Sequence, residues 1–402
     1  MSFERQQAPV LIAGGGIAGL TLAAALGRSF RDVVVVERAA GLAEGGAAIS
    51  LWPNALAALD TIGLGAVVRA AGKAVGTGGI RRPDGSWMRR MQPSWIETAL
   101  DEPLVAIRRD ELLEIILASA VETASVRFGT ELRSFRADAV GVTASLSDGS
   151  VIEAGSLVGA DGVGSVVARQ MHPGLTASYA GYTAWRGLAD LDVTGFDPSE
   201  TWGRGGEFGF LPLGTTQAYW FATENTKADG HSADGELEHL AQRFSGWHAP
   251  ILELLAATNP SAVLRHDIYD RRTPERWSCG PVIVIGDAAH PMRPHLGQGG
   301  CQAIEDAVLL AASIGTEPDP SGVFEHFSAS RYQRVRRVVR ESALIGRLIQ
   351  SEGLTASLAR QLGTIVPGRL VARHLAAIGG RRAFTAWEII DRSPESGSRG
   401  RW

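Results

Sequence analysis

Cysteine is scarce. Cys279 and Cys301 are the only two in 402 residues, which excludes a disulfide framework and a cysteine-rich metal site. An excess of charge of one sign is lacking as well. The 39 basic and 43 acidic side chains leave a net −4, too little to draw the chain to nucleic acid or an anionic membrane. Long apolar runs are missing except near the N-terminus. There Ala8 to Gly27 is almost wholly apolar, but Gly14, Gly15, Gly16 and Gly19 fall in its middle. A spanning helix needs about 18 to 20 apolar residues without such weak points. No Ser-His-Asp spacing, metal-ligand cluster or phosphate-loop lysine motif stands out. The expectation is an untargeted, cytoplasmic globular chain that binds neither nucleic acid nor membrane.

Glycine, by contrast, is abundant, with 49 residues against a typical share of roughly 7 per cent. Glycine costs backbone entropy, so the excess implies unusual backbone geometry or close approach of a ligand at many places. The apolar share of 45% and charged share of 20% are ordinary for a globular protein. A chain of this length has room for about two or three domains.

The first motif opens the chain. Val10 to Ala13 is a short apolar run of the buried parallel-strand kind, leading into Gly14-Gly15-Gly16-Ile17-Ala18-Gly19 and a small-residue helix from Leu20 to Leu26. Gly14 permits a tight turn, Gly16 lets the backbone approach a pyrophosphate, and Gly19 lets helix and strand pack closely. The free N–H groups of the helix start hold phosphates. A second apolar strand, Val33 to Val36, ends at Glu37, 18 residues after Gly19. An acid at that spacing accepts hydrogen bonds from both hydroxyls of an adenosine ribose. A glycine pattern alone is weak, but strand, glycines, helix, strand and acid in register predict a dinucleotide, either FAD or NAD.

Two later segments bear on the choice. Leu157 to Ser165 is an apolar strand ending in Asp161-Gly162, and Val282 to Ile285 runs into Gly286-Asp287. Acids at the carboxyl ends of buried parallel strands lie where open α/β sheets bind ligands. There they accept hydrogen bonds from a polyhydroxyl chain such as ribityl; singly, each also reads as a strand-to-loop turn. Taken in order, Gly14-x-Gly16-x-x-Gly19, Asp161-Gly162 and Gly286-Asp287 resemble the single-component flavoprotein aromatic hydroxylases, the family of p-hydroxybenzoate and salicylate hydroxylase. The likeness runs from about Val10 to about Arg340. It is carried further by Gly46 to Asn54, Arg109 to Leu112, Gly181 to Gly187 and Pro291 to Gly300.

The resemblance implies an α/β fold: a Rossmann-like FAD-binding domain, a β-rich inserted substrate domain and C-terminal helices. It implies that Gly14, Gly16, Ala18 and Gly19 hold the FAD pyrophosphate, and that Glu37 holds the adenosine ribose with Arg38 beside it. Ser50 and Arg109 would lie along the phosphate and ribityl region, Leu132 would offer backbone near the adenine, and Asp287 would bind ribityl. Asp161 would serve both FAD and the reductant, NADH or NADPH, without a second Rossmann domain. Pro294, Gly297, Gly299 and Gly300 would line the flavin ring.

The loop Pro291 to Gly300 also has a reading of its own. Two prolines stiffen it, and three glycines clear room for something flat against backbone. A helix expected from Cys301 to Ile314 would aim its N-terminal N–H groups at an anion, which in the family is reduced flavin. His295 in this loop is a candidate base for a substrate hydroxyl, although a histidine merely hydrogen-bonded within a loop is the commoner case.

For the rest of the chain the pattern suggests a discontinuous FAD-binding domain over 1–72, 100–178 and 281–345. A substrate domain would take 73–99 and 179–280, and a helical region 346–402. Trp185, Trp202, Phe208, Phe210, Tyr219, Trp220 and Phe221 are candidates for lining a flat pocket, though aromatics in a sheet also simply fill core. Arg186 and Arg204 are candidate anion contacts. The middle segment is similar to the salicylate-, urate- and zeaxanthin-epoxidase-like branches. It departs from urate-type members at Glu207, where they carry an arginine, which argues against an anion gripped there. Arg331, Arg334, Arg336, Arg337 and Arg340 read as a solvated helix face.

The expected function is therefore an FAD-dependent monooxygenase, monomeric or homodimeric. NAD(P)H would reduce the flavin, O2 would add as a C4a-hydroperoxide, and one oxygen would pass to an aromatic or heteroaromatic ring. An epoxidase, a non-oxygenating FAD oxidoreductase and a non-catalytic flavin-binding scaffold are the alternatives on the same fold.

Overall fold

The computed structural model describes residues 8–27, 32–42, 47–76, 78–139, 141–314, 320–353 and 366–384. The central layer is a six-stranded sheet ordered Ser278–Cys279, Val282–Val284, Ser156–Gly159, Val10–Ala13, Val33–Val36, Ala124–Arg127. All its pairings are parallel except that of the edge strand Ser278–Cys279. A parallel sheet must be covered on both faces, so its four inner strands are dominated by valine, leucine and isoleucine, whereas the edge strand Ala124–Arg127 alternates between half-buried and exposed positions. Leu11, Ile12, Val35, Leu157, Val158 and Ile283 are each 0% exposed. Helix Ile17–Leu26 packs on one side with every residue buried, and helix Gly299–Ile314 lies against it.

The expected strands at Val10 to Ala13 and Val33 to Val36 are present with those bounds. Helix Gly299–Ile314 begins two residues earlier than its sequence pattern indicated. The segment Ser393 to Trp402, expected to be a polar tail, lies outside the described residues.

A second, seven-stranded sheet is ordered Leu264–Asp270, Ser178–Asp190, Gln217–Glu224, Gly206–Pro212, Ser199–Trp202, Gly79–Arg81, Trp87–Arg90. Strand alternation gives it two faces. The outer face carries Trp185, Phe208, Phe210 and Trp220, which share a core with helices Glu236–Arg243 and Ile251–Ala256. The inner face carries Tyr219, Phe221, Leu188 and Leu211, which pack against Ala47 and Ala48 beside strand Ala48–Leu51. The long helix Pro320–Gln350 ends against this sheet, where the Gln350 amide donates to the Thr223 hydroxyl at 2.6 Å.

One sequence expectation is overturned here. The arginine-rich stretch is not a uniformly solvated face, because Arg331 is 0% exposed and bonds Glu305 at 2.7 Å and Asp306 at 2.8 Å. Its helix buries one face against helix Gly299–Ile314, and a cation there must meet buried carboxylates.

Candidate active site

The three glycine-and-acid motifs, far apart in sequence, meet at the carboxyl ends of the parallel strands. Gly14 has φ +108°, and a Cβ there would lie 2.3 Å from the Ala160 carbonyl oxygen and 2.9 Å from the Asp161 Cα. Gly19 approaches still more closely, since its Cβ would sit 1.9 Å from the Gly14 oxygen. Both positions therefore admit only glycine. Gly286, with φ +56°, would place a Cβ 3.1 Å from that of Ala18, so the Asp287 turn abuts the first helix. A Cβ on Gly300 would meet the Ile49 side chain at 2.5 Å and that of Ile17 at 3.7 Å. Helix Gly299–Ile314 thus starts beside helix Ile17–Leu26.

Gly16 differs from its neighbours, because nothing lies within 4 Å of where its Cβ would stand. The N-terminal end of helix Ile17–Leu26 faces open space, with no side chain capping it. Glu37 is tied to this turn. Its Oε2 accepts from the Gly15 N–H at 2.7 Å and its Oε1 from the Ala39 N–H at 2.8 Å. Arg38 next to it is largely exposed. Leu132 is buried just beyond Thr130, whose N–H donates to the Glu37 carbonyl at 2.9 Å.

The two aspartates have distinct surroundings. Asp161 Oδ2 accepts from the Val166 N–H at 2.7 Å, while its Oδ1 is buried with no partner. Burial pushes the carboxyl above its usual range despite the Ser165 hydroxyl and these backbone donors. Asp287 keeps solvent contact, yet enclosure by protein raises its pKa against the pull of His290, Arg109 and Arg271. A side chain both wet and enclosed marks the floor of a deep cleft. Arg109 is similar: it is exposed, yet burial lowers its pKa, with Asp287 opposing. An orphaned carboxylate oxygen, an uncapped helix start and an open glycine together form the donor and acceptor set that a dinucleotide with a polyhydroxyl chain fills. Arg271, which the sequence pattern did not single out, is 5% exposed and donates to the Asp287 carbonyl at 3.3 Å. An arginine in a polar run, next to Arg272, gave no signal.

The loop after Asp287 closes the cleft. Pro294–Leu296 forms a short 3-10 turn, and Gly297 with φ +60° would bring a Cβ 3.3 Å from Trp52 Nε1 and 3.4 Å from Ser50 Oγ. Gly299 lies near Met292. His295 turns away from solvent, and its side chain is 0% exposed. Nε2 is 2.9 Å from the Tyr182 hydroxyl, and Nδ1 is 2.9 Å from Glu207 Oε1 at an angle short of a hydrogen bond. Both nitrogens face protein, so this ring reaches the cavity only through its partners.

The candidate substrate residues are not brought together. Tyr219 is on the inner sheet face, and its neighbours there include Arg186 and Arg109. Trp185 is on the outer face, its indole N–H donating to Glu236 Oε2 at 2.6 Å. Arg204 is exposed and donates to the Glu352 carbonyl at 3.2 Å. The sequence could reveal that aromatics cluster here, but not which face each takes.

A model of the FAD binding domain family matches residues 7–342. The chain is similar to aurachin C monooxygenase/isomerase of Stigmatella aurantiaca, 40% identical over 354 residues that cover 88% of this chain and 92% of that protein. It is similar to chloroplastic zeaxanthin epoxidase of Oryza sativa subsp. japonica, 33% identical over 84% of this chain and 54% of the epoxidase. The structure of Klebsiella pneumoniae HpxO complexed with FAD and uric acid matches with a TM-score of 0.85 at 27% identity, covering 92% of this chain and 96% of that one.

Proposed function

This chain belongs to the FAD binding domain family and is an FAD-dependent monooxygenase, and we propose that it uses NADH or NADPH and O2 to put one oxygen atom into an aromatic or heteroaromatic small molecule. The observation that carries this reading is the meeting of Gly14, Asp161, Asp287 and the start of helix Gly299–Ile314 around one cleft. When bound, FAD supplies the two-electron redox chemistry and the activation of O2, for which no side chain is suited.

The protein's own residues bind, orient and exclude water. Gly16 and the helix start behind it receive the pyrophosphate, Glu37 the adenosine ribose, and Asp287 with Arg109 the ribityl region. The N–H groups opening helix Gly299–Ile314 stabilise negative charge at the ring edge, an electrostatic arrangement fixed before reaction. Gly297, Gly299 and Gly300, packed close to Trp52, Met292 and Ile49, would leave backbone at this end of the cleft to hold the flavin ring. His295, held between Tyr182 and Glu207, fixes the loop that carries these glycines.

The test is NADH and NADPH oxidation by FAD-loaded protein over a panel of phenols, heteroaromatics and alkenes, with product mass. A compound that accelerates oxidation and gains one oxygen supports the reading. Alkenes belong on the panel because a relative is an epoxidase. Faster oxidation without oxygen gain on every compound overturns oxygen insertion. Asp287→Ala should lower the flavin retained through gel filtration, and unchanged flavin content would remove the ribityl assignment.

A further inference from the structure

The strand register of the inner sheet face sets a row of residues directly opposite the cleft. Arg186 pairs with Phe221, Phe221 with Gly209, and Gly209 with Glu200. Directly opposed residues share a face, so a guanidinium and a carboxylate stand at the two ends of one line with an aromatic ring between them. Gly209 is what lets the ring lie there, since a Cβ on it would be 2.3 Å from the Phe221 ring. The adjacent row on the same face is buried from Ala184 through Thr223 to Glu207, with Trp202 half-buried at its end. Arg186, Phe221 and Glu200 instead keep partial exposure in the middle of the sheet.

The chemistry of the two ends is opposite. Arg186 neighbours Tyr219, and its Nη1 is 3.4 Å from His266 Nδ1, so its donors point along the inner face. Glu200 accepts from the Trp202 indole N–H at 3.2 Å, and among the described residues His295 instead pairs with the neighbouring Glu207. The groups facing it are Glu207 from the next strand, His295 from the loop, and apolar Ile80 from the strand on its other side. Three strand spacings separate Arg186 from Glu200, about 14 Å. With both side chains standing off the sheet above their own strands, a hydrogen bond at each end would leave about 8 Å, the span of two fused rings with a polar atom at each end.

Resting on the monooxygenase reading above, we propose that the substrate is a flat two-ring compound lying on Phe221, with a conjugated carbonyl bound by Arg186 and an acidic O–H or N–H bound by Glu200, and that Glu200 removes that proton. In this step the O–H or N–H bond breaks and the proton passes to the Glu200 carboxylate. The electron pair stays on the ring system, where conjugation spreads it toward the carbonyl held by Arg186. Nothing is oxidised or reduced, and the ring becomes more electron-rich, as attack by an electrophilic oxygen requires. Burial and the neighbouring Glu207 push the Glu200 carboxyl up to about 7, against the Trp202 hydrogen bond and His295. Such a group exchanges protons readily near neutral pH.

The experiment titrates 7-hydroxycoumarin and 7-methoxycoumarin into FAD-loaded protein and follows fluorescence, which separates phenol from phenolate. The hydroxy compound should bind at least ten-fold more tightly than the ether. Its phenolate band should appear in the bound state at a pH where the free compound is neutral, rising as pH passes about 7. Glu200→Gln should abolish that band, Glu200→Asp should restore part of it, and Arg186→Leu should weaken both compounds about ten-fold or more. Equal affinity for the two compounds, no binding of either, or a phenolate band unchanged in Glu200→Gln overturns the proposal. If Glu200→Gln does not retain flavin, the pH titration of wild type and Glu200→Asp decides. Protein that binds no FAD overturns the monooxygenase reading; protein that binds FAD and oxidises NAD(P)H but ignores these substitutions overturns only the substrate assignment.

Discussion

Gly16 and Gly19 are the same residue type for different reasons, and alanine separates them. A Cβ at Gly19 would collide with the Gly14 carbonyl at 1.9 Å, whereas one at Gly16 meets nothing within 4 Å. Gly19→Ala should therefore destabilise the protein before any ligand is added, by about 1–3 kcal/mol or more. Gly16→Ala should leave the melting temperature of the FAD-free protein unchanged while weakening FAD binding about ten-fold or more. Denaturation curves with parallel flavin titrations check both; a destabilised FAD-free Gly16→Ala protein would be the contrary result. The spacing of these glycines was legible in the sequence because a strand, a turn and a helix start are local. Their separate duties were not, since only the fold brings Ala160 and Asp161 over Gly14 and leaves Gly16 open.

At the scale of the element, helix Gly299–Ile314 is held by charges that sequence alone placed in solvent. Glu305 and Asp306 are buried on it, and Arg331 from the long helix bonds both. Arg334 adds a second contact to Glu305 at 2.7 Å, and Asn54 donates to Glu305 at 2.6 Å. Burial opposes ionisation of Glu305, but Arg334 and Arg331 outweigh it and hold the carboxyl down to about 2. Removing one partner strands buried charge, so Arg331→Met should cost about 3–5 kcal/mol in chemical denaturation. The pH dependence follows from the lowered pKa. Glu305 contributes stability above its ordinary value of 4.5 and loses it as pH falls toward about 2. Glu305→Gln should lower stability at neutral pH yet flatten its decline across that acid range. An unchanged acid slope would show that another group carries it. The arginine run was legible as a helix; which of its faces is buried depended on a partner helix distant in sequence.

For the whole molecule, the cleft is bounded by pieces from the start, middle and last third of the chain, so ligand binding and global stability are linked. In the site proposed above, FAD would bind only where Gly14, Asp161, Asp287 and the Pro291–Gly300 loop are assembled. At a hundred-fold excess over its dissociation constant it should add about 2.7 kcal/mol of stability. Stripping FAD should lower the melting temperature and re-adding it should restore it; equal values with and without flavin would contradict the link. The seven-stranded sheet shows where local reading stops. Trp185 and Tyr219 are both sheet aromatics, yet one fills the outer core and the other meets Arg186 on the inner face. Alternation along each strand is visible in sequence, but which set faces inward is fixed by what packs against each side. The sequence by itself determined the α/β class, the dinucleotide turn and the acids at strand ends, because strand, turn and helix start are set by residues adjacent in the chain. Only the tertiary structure decided that Glu200 shares a row with Arg186 and that Arg331 is buried, because pairing register and helix contact join residues that no local pattern connects.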